Sequence, residues 1–244
     1  MSSKKTPTGA PKKILIIRLS SIGDILLSTP LIRQVRRTFP NAQIDFIVKA
    51  IYKDLLKYNP HINELYSIQL GEESKDLSEL KGKLRDRSYN VVIDLHNNLR
   101  SNYLKRGINA GSIFSIKKEK LKQSLFVWFK INLYGQETPI PLRYLAVASD
   151  FGVADDGKGL ELYWDKDASD SAEKKVILSG LDWIKPFICL APGAGFFTKR
   201  WPEEKFGNLV DLIQRGEKIK IVVLGGERDK KIGSFLKKQK SIID

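Results

Sequence analysis

KILIIRLSSIGDILLSTPLIRQVRRTFP, residues Lys13 to Pro40, reads as a buried β-strand, a short loop and a helix, with Gly23 and Asp24 where they join. Ile14, Leu15, Ile16 and Ile17 form a continuous apolar run, as expected of a parallel strand covered on both faces. Leu26, Leu27, Leu31 and Val35 then recur at helical spacing, with Arg33, Arg36 and Arg37 elsewhere on the helix. Ligands of open α/β sheets bind outside the carboxyl ends of the strands, so a carboxylate at this junction is a candidate for chemistry. The plainer reading of Asp24 is an acid favoured by the helix dipole, and local sequence leaves both open.

Outward from this unit the alternation repeats. Further strands are expected at Gln43–Val48, Glu64–Ser67, Asn90–Asp94 and Gly107–Phe114, with the first at Ile14–Arg18. Helices are expected at Asp24–Thr38, Tyr52–Tyr58, Lys75–Arg87, Glu119–Leu133 and Arg143–Phe151. This is the pattern of a doubly wound parallel sheet. The polar Gly152–Asp170 stretch reads as a domain connection. Alternation then resumes: helix Ser171–Leu178, strand Phe187–Leu190, helix Glu203–Arg215, strand Ile219–Leu224, helix Arg228–Lys238. The expected organisation is a basic disordered leader over 1–11, an α/β domain over 12–160 and a second, incomplete one over 161–244.

The 244 residues carry a net charge of +14. Nucleic acid, an anionic membrane surface and anionic small substrates could each account for it. No zinc-finger spacing, RNP-like motif or recognition helix is present, which puts nucleic acid last. No apolar run reaches the ~20 residues a bilayer span needs. The leader has no apolar segment of the signal-peptide kind. Cys189, the single cysteine, lies in FICLA and is expected to be a buried strand residue.

Four more segments could carry chemistry. APGAGFFTKRWP (191–202) follows a strand and precedes a helix. Gly193 and Gly195 expose backbone N–H groups, and Lys199 and Arg200 add charge, as a diphosphate cradle requires. VVLGGERD (222–229) ends a strand with two glycines and supplies acids where a ribose diol could be held. DLHNNLR (94–100) gathers polar groups at a strand end. KKEKLKQSLFVWFK (117–130) mixes lysines with Leu and aromatic residues, suiting either a membrane surface or packing into the domain. Each has a bland alternative: a Gly/Pro loop, a turn with a cap, a helix cap, a core-facing stripe. His96 and His61 lack metal-ligand spacing, and neither GxGxxG nor GxxxxGK[ST] occurs, which disfavours a dinucleotide-dependent oxidoreductase.

Taken together and in order, RLSSIGDILLSTPLIRQVRRTFPNAQIDFIV, YNVVIDLHNNLRS, PGAGFFTKRWPEEKF and VVLGGERD resemble glycosyltransferase family 9, the heptosyltransferases of lipopolysaccharide core synthesis. The resemblance runs from Lys12 onward. It implies a GT-B architecture of two Rossmann-like domains, the second incomplete here because the family's further D-T-G-x-x-H type loop is missing. It implies an inverting, metal-independent transfer from an ADP-sugar, which is a substrate and not a cofactor. Asp24 is then the base. Lys199, Gly193 and Ala194 hold the donor diphosphate, and Glu227 the donor ribose. Gly23, Asn97 and Arg100 lie on the acceptor side. Expected partners are the nucleotide-sugar, an anionic lipid A-core acceptor and the inner face of the cytoplasmic membrane, with no nucleic acid. A non-catalytic module binding anionic glycolipid is the alternative.

Overall fold

The computed structural model describes residues 9–69, 73–117, 128–131, 138–182, 184–216, 219–237 and 242–243. The chain divides into two compact units, Met1–Trp164 and Asp165–Asp244.

The first unit is built on five parallel strands: β1 (Lys13–Ile17), β2 (Gln43–Lys49), β3 (Glu64–Ile68), β4 (Tyr89–Asp94) and β5 (Ala110–Ser115). Their order is β3-β2-β1-β4-β5. Ile14 stands opposite Ile44 on one side and Val91 on the other. The chain steps outward from β1 to β3, then returns to β4 on the opposite side of β1. The crevice between β1 and β4 is therefore the switch point of the sheet.

Both faces are covered. Ile14 and Ile16 pack with Ile44, Phe46, Val91 and Ile93 against Leu31, Ile32 and Val35, and against Tyr144 and Leu145. Leu15 and Ile17 pack with Ile47 and Val92 against Leu77, Leu80, Leu84 and Leu104. The helices concerned are α2 (Thr29–Thr38), α3 (Glu73–Arg85), α4 (Leu99–Lys105) and α5 (Ile140–Leu145). This two-sided cover is why β1 has no polar alternation.

The expected helix Asp24–Thr38 is two helices, α1 (Ile22–Leu26) and α2. Pro30 has no N–H to give the carbonyl of Leu26, so the ladder must break there. The Thr29 hydroxyl donates to that carbonyl at 2.8 Å, and the Ser28 hydroxyl donates to Ile25 at 2.6 Å. Ser28 and Thr29 are fully buried, which makes this substitution of bonds necessary. Two further helices are tighter than expected. Ala50–Leu55 is a 3₁₀ helix in place of Tyr52–Tyr58, and α5 passes into a 3₁₀ helix over Ala146–Phe151. The helix expected at Glu119–Leu133 lies outside the described residues apart from 128–131, where Trp128 and Phe129 are exposed.

The second unit has β6 (Phe187–Leu190), β7 (Lys220–Val223) and β8 (Ile242–Ile243), parallel and in that order. Helices α6 (Lys166–Leu178), α7 (Glu203–Gly216) and α8 (Lys230–Lys237) accompany them. Leu190, Ile221, Val223, Val210 and Leu236 form its core, with Ile188 packed against it. Cys189, expected to be buried, is exposed. Ile188 and Leu190 turn to the core, and the period-two alternation of a strand turns Cys189 to the other face.

Ile16 is fully buried at the centre of the larger core. Ile16→Ala is expected to lower unfolding stability by about 2–5 kcal/mol in urea titrations followed by circular dichroism.

Candidate active site

Asp24 lies just past the carboxyl end of β1, in the first turn of α1. Its Oδ2 accepts the Ser21 hydroxyl at 2.9 Å and the Ser21 amide at 3.3 Å. Arg18, the residue after β1, places Nη2 2.5 Å from the same oxygen. The other guanidinium nitrogen donates to the Leu95 carbonyl at 2.5 Å, which ties the ion pair to the end of β4. Arg18 also lies over the Tyr144 ring, 5.6 Å from its centroid. The Tyr144 hydroxyl donates to Asp24 Oδ1 at 3.4 Å.

This geometry sets the charge of the carboxyl. Partial burial pushes Asp24 upward, but the Arg18 charge and the Ser21 donors outweigh it and hold it below 3.8. Burial, with the adjacent Asp24 charge, pushes Tyr144 up to about 12, against the pull of Arg18, so its hydroxyl remains a donor. Asp24 is thus ionised at neutral pH, and its side chain keeps 33% of its surface exposed. An ionised, reachable carboxylate can take a proton from a hydroxyl. Its basicity rises when a ligand displaces water around it or draws Arg18 away. A Cβ on Gly23 would meet nothing within 4 Å, so the space beside Asp24 is open.

The loop after β4 forms the neighbouring wall. Asp94, fully buried, accepts the amides of His96 (2.9 Å) and Asn97 (2.8 Å) and the Ser101 hydroxyl (2.9 Å). Lys105 balances its charge at 2.6 Å. Asn97 adopts φ 42° and donates its side-chain amide to Ile116, so it shapes the loop. Asn98 caps α4 by accepting from Ser101. Arg100 is exposed on the first turn of that helix.

In the second unit, the loops after β6 and β7 start side by side, with the Leu224 amide bonded to the Leu190 carbonyl at 2.8 Å. Asp229 joins them. Its carboxylate accepts the Gly226 amide at 3.0 Å. Its oxygens stand 2.5 Å from where a Gly193 Cβ would be, and its Cβ 2.8 Å from that of Gly225. Arg200 Nε donates to the Ala194 carbonyl at 2.8 Å and braces the same loop. Lys199 ends a 3₁₀ turn, exposed, with its ammonium 5.6 Å from the Phe196 ring centroid. Glu227 is also exposed and pairs with Lys230 at 2.7 Å. Gly193, Ala194 and the GGERD turn therefore share one place, and Lys199, Arg200, Glu227 and Arg228 are exposed charges of that loop pair.

Sequence reasoning passed over three residues. Arg18 could have been noticed as a cation closing an apolar strand. Tyr144 reaches Asp24 from 120 positions away, with no local signal. Asp229 resembled a simple helix cap. Among the described residues, no cluster of three or more His, Cys, Asp or Glu is arranged to hold a metal ion.

Residues 77–240 match the family of glycosyltransferase family 9 (heptosyltransferase). The chain belongs to this family. Lipopolysaccharide heptosyltransferase 2 of Salmonella typhimurium is 29% identical over 232 residues, an alignment covering 91% of this chain and 66% of that protein. Lipopolysaccharide heptosyltransferase 1 of Pseudomonas aeruginosa is 23% identical, covering 86% and 60%. The chain thus spans less than two thirds of the length of these relatives. Among solved structures, a family 9 glycosyltransferase from Veillonella parvula superposes with a TM-score of 0.78 at 24% identity, covering 93% of this chain and 66% of its own. The ADP-heptose lipopolysaccharide heptosyltransferase II of Escherichia coli gives 0.68 at 23%, covering 94% and 71%. The fold is accordingly the α/β architecture of GT-B heptosyltransferases over part of their length.

Two measurements probe the site. Arg18→Gln is expected to raise the Asp24 titration midpoint, read by carboxyl-carbon NMR, because the dominant lowering influence is removed. Gly193→Ala is expected to cost about 1–3 kcal/mol by forcing Asp229 aside, and the same substitution should cost much less in an Asp229→Ala background.

Proposed function

We propose that this family 9 chain acts in inverting glycosyl transfer from an ADP-sugar, heptose or a similar sugar, to an anionic lipopolysaccharide core acceptor, with Asp24 as the base. The observation that carries the reading is the Asp24 carboxylate: ionised, reachable and fixed at the switch point of the sheet.

In this mechanism an acceptor hydroxyl enters the open space beside Gly23. Asp24 takes its proton as the oxygen attacks the anomeric carbon from the face opposite the leaving group. The bond from the anomeric carbon to the diphosphate oxygen breaks, and ADP leaves with the electron pair. Tyr144 and Ser21 hold the carboxylate in position, and Arg18 keeps it deprotonated until acceptor binding. Lys199 meets the negative charge that develops on the diphosphate, with the amides of the Gly193–Ala194 loop beside it. Glu227 accepts hydrogen bonds from the ribose. Asn97 and Arg100 stand on the acceptor side. No metal is required, since Lys199 and backbone donors supply the positive potential.

The acceptor of the named relatives is a lipopolysaccharide, and the net charge of +14 suits an anionic partner at a membrane surface. No helix among the described residues is long and apolar enough to cross a membrane. Exposed Trp128 and Phe129 support peripheral attachment to the inner face of the cytoplasmic membrane. A second reading is a non-catalytic module binding anionic glycolipid, which needs only the positive charge and the exposed aromatic residues.

The test is transfer from ADP-heptose to heptose-deficient lipopolysaccharide. Asp24→Ala should lower kcat by roughly 10²–10⁴-fold with donor affinity unchanged. Lys199→Ala should weaken ADP binding roughly tenfold. Turnover that survives in Asp24→Ala removes the base assignment. Acceptor binding with no turnover in the unmodified chain selects the second reading.

A further inference from the structure

At the opposite end of the five-stranded sheet from Asp24, α2 and the 152–164 segment enclose a groove of about 420 Å³ lined by Arg33, Arg36, Arg37, His61, Asp156 and Lys158. It lies at the amino ends of β2 and β3, since Arg36 bonds to Ala42 and Asn63, the residues that immediately precede Gln43 and Glu64. We propose that this groove is a binding site for a phosphoryl anion, separate from the transfer site.

The charges in the groove do not cancel. Arg33 is matched: it holds Asp156 at 2.7 and 3.0 Å and Glu161 at 2.6 Å. Arg36 is not. Its guanidinium donates to the carbonyls of Pro40 (2.8 Å), Ala42 (2.7 Å) and His61 (3.2 Å) and to the Asn63 side chain (2.5 Å), all of them neutral. Those bonds fix the group in place but leave its charge uncompensated in a partly desolvated position. Arg37 and Lys158 are exposed on the groove, and neither side chain has a carboxylate partner among the described residues. Four cations thus line or flank a space with two carboxylates, of which Asp156 is taken up by Arg33 and Glu161 is divided between Arg33 at 2.6 Å and His61 Nε2 at 3.3 Å.

The chemistry of the lining selects the ligand. Guanidinium groups match the oxygens of a phosphate, and Lys158 adds a mobile point charge. A concave space of this size holds one or two phosphoryl groups. Its lining contains no aliphatic side chain, only charged groups and the His61 imidazole. Arg36, its terminal N–H groups spent on neutral acceptors, supplies a fixed charge, and Arg37 and Lys158 supply the donors that close on an anion in a concave space.

His61 reports on occupancy. Burial lowers its pKa below 6.5, Glu161 opposes that, and Arg36 and Arg33 add to it. Tyr163 lies 3.5 Å from its Nε2, while Arg37, Lys158 and Asp156 are the other charged groups lining the space. An anion in the groove favours protonated His61.

The chain has two histidines, His61 and His96, so imidazole proton NMR can follow both during a pyrophosphate titration at constant ionic strength. The expected result is a His61 midpoint raised by about half a pH unit, with His96 unmoved. In Arg37→Gln/Lys158→Gln the affinity should fall at least roughly tenfold, with circular dichroism unchanged since neither side chain holds the fold together. A parallel arm uses phosphatidylglycerol vesicles in cosedimentation. A pyrophosphate response lost in the double variant assigns a soluble phosphate. Vesicle binding without a pyrophosphate response, and lost in the double variant, assigns a lipid headgroup. If neither ligand binds, or if binding persists unchanged in the double variant, the proposal falls.

Discussion

Strand β1 has no free side. Its side chains are buried on both faces, and its backbone is paired with β2 along one edge and β4 along the other. A segment so enclosed can only release the chain at its end, and the next residues, Arg18 to Asp24, occur where the strand order reverses. The site inherits its position from this enclosure. Arg18 bonds the end of β4 and the Asp24 carboxylate at once, so the core transmits its rigidity to the charged pair through a single side chain. Tyr144, held by the same core that buries Ile14 and Ile16, faces the other carboxylate oxygen. A carboxylate proposed as a base needs both a defined orientation and access to water or substrate, and this arrangement supplies the first without closing off the second.

The second unit positions its loops by a different means. There the core is small, and the loops after β6 and β7 are held by one acidic side chain pressed against two glycines. Gly193 was attractive in sequence because it could bare an amide to a phosphate. In the structure its lack of a side chain is first of all what lets Asp229 approach. The two uses are compatible, since the packed carboxylate sits on the side of the missing Cβ and leaves the charged tips at Lys199 and Glu227 exposed.

Much of this was written locally in the chain. Four consecutive apolar residues are enough to announce a strand buried on both faces, and the five strands of the first unit lie close to where period and turn residues place them. Pro30 marked a helix boundary that the apolar spacing of Leu26 to Val35 concealed, because the hydrophobic stripe continues across the break. Cys189 departs from expectation because apolar neighbours say that a strand exists, not which of its faces is covered. Arg18 with Tyr144, Arg33 with Asp156, and Asp229 with Gly193 were out of reach for the same reason: each depends on the chain returning to itself from a distance, and neither partner has a local feature that names the other.

The contact of Asp229 with Gly193 and Gly225 has a consequence for the history of the protein. A side chain added at Gly193 meets the end of the acid, which must swing aside or shorten, and one added at Gly225 meets its Cβ, which no side-chain rotation moves. A change at any one of the three positions therefore bears on the other two. Selection on one loop is thereby felt in the other, although the two are separate in sequence.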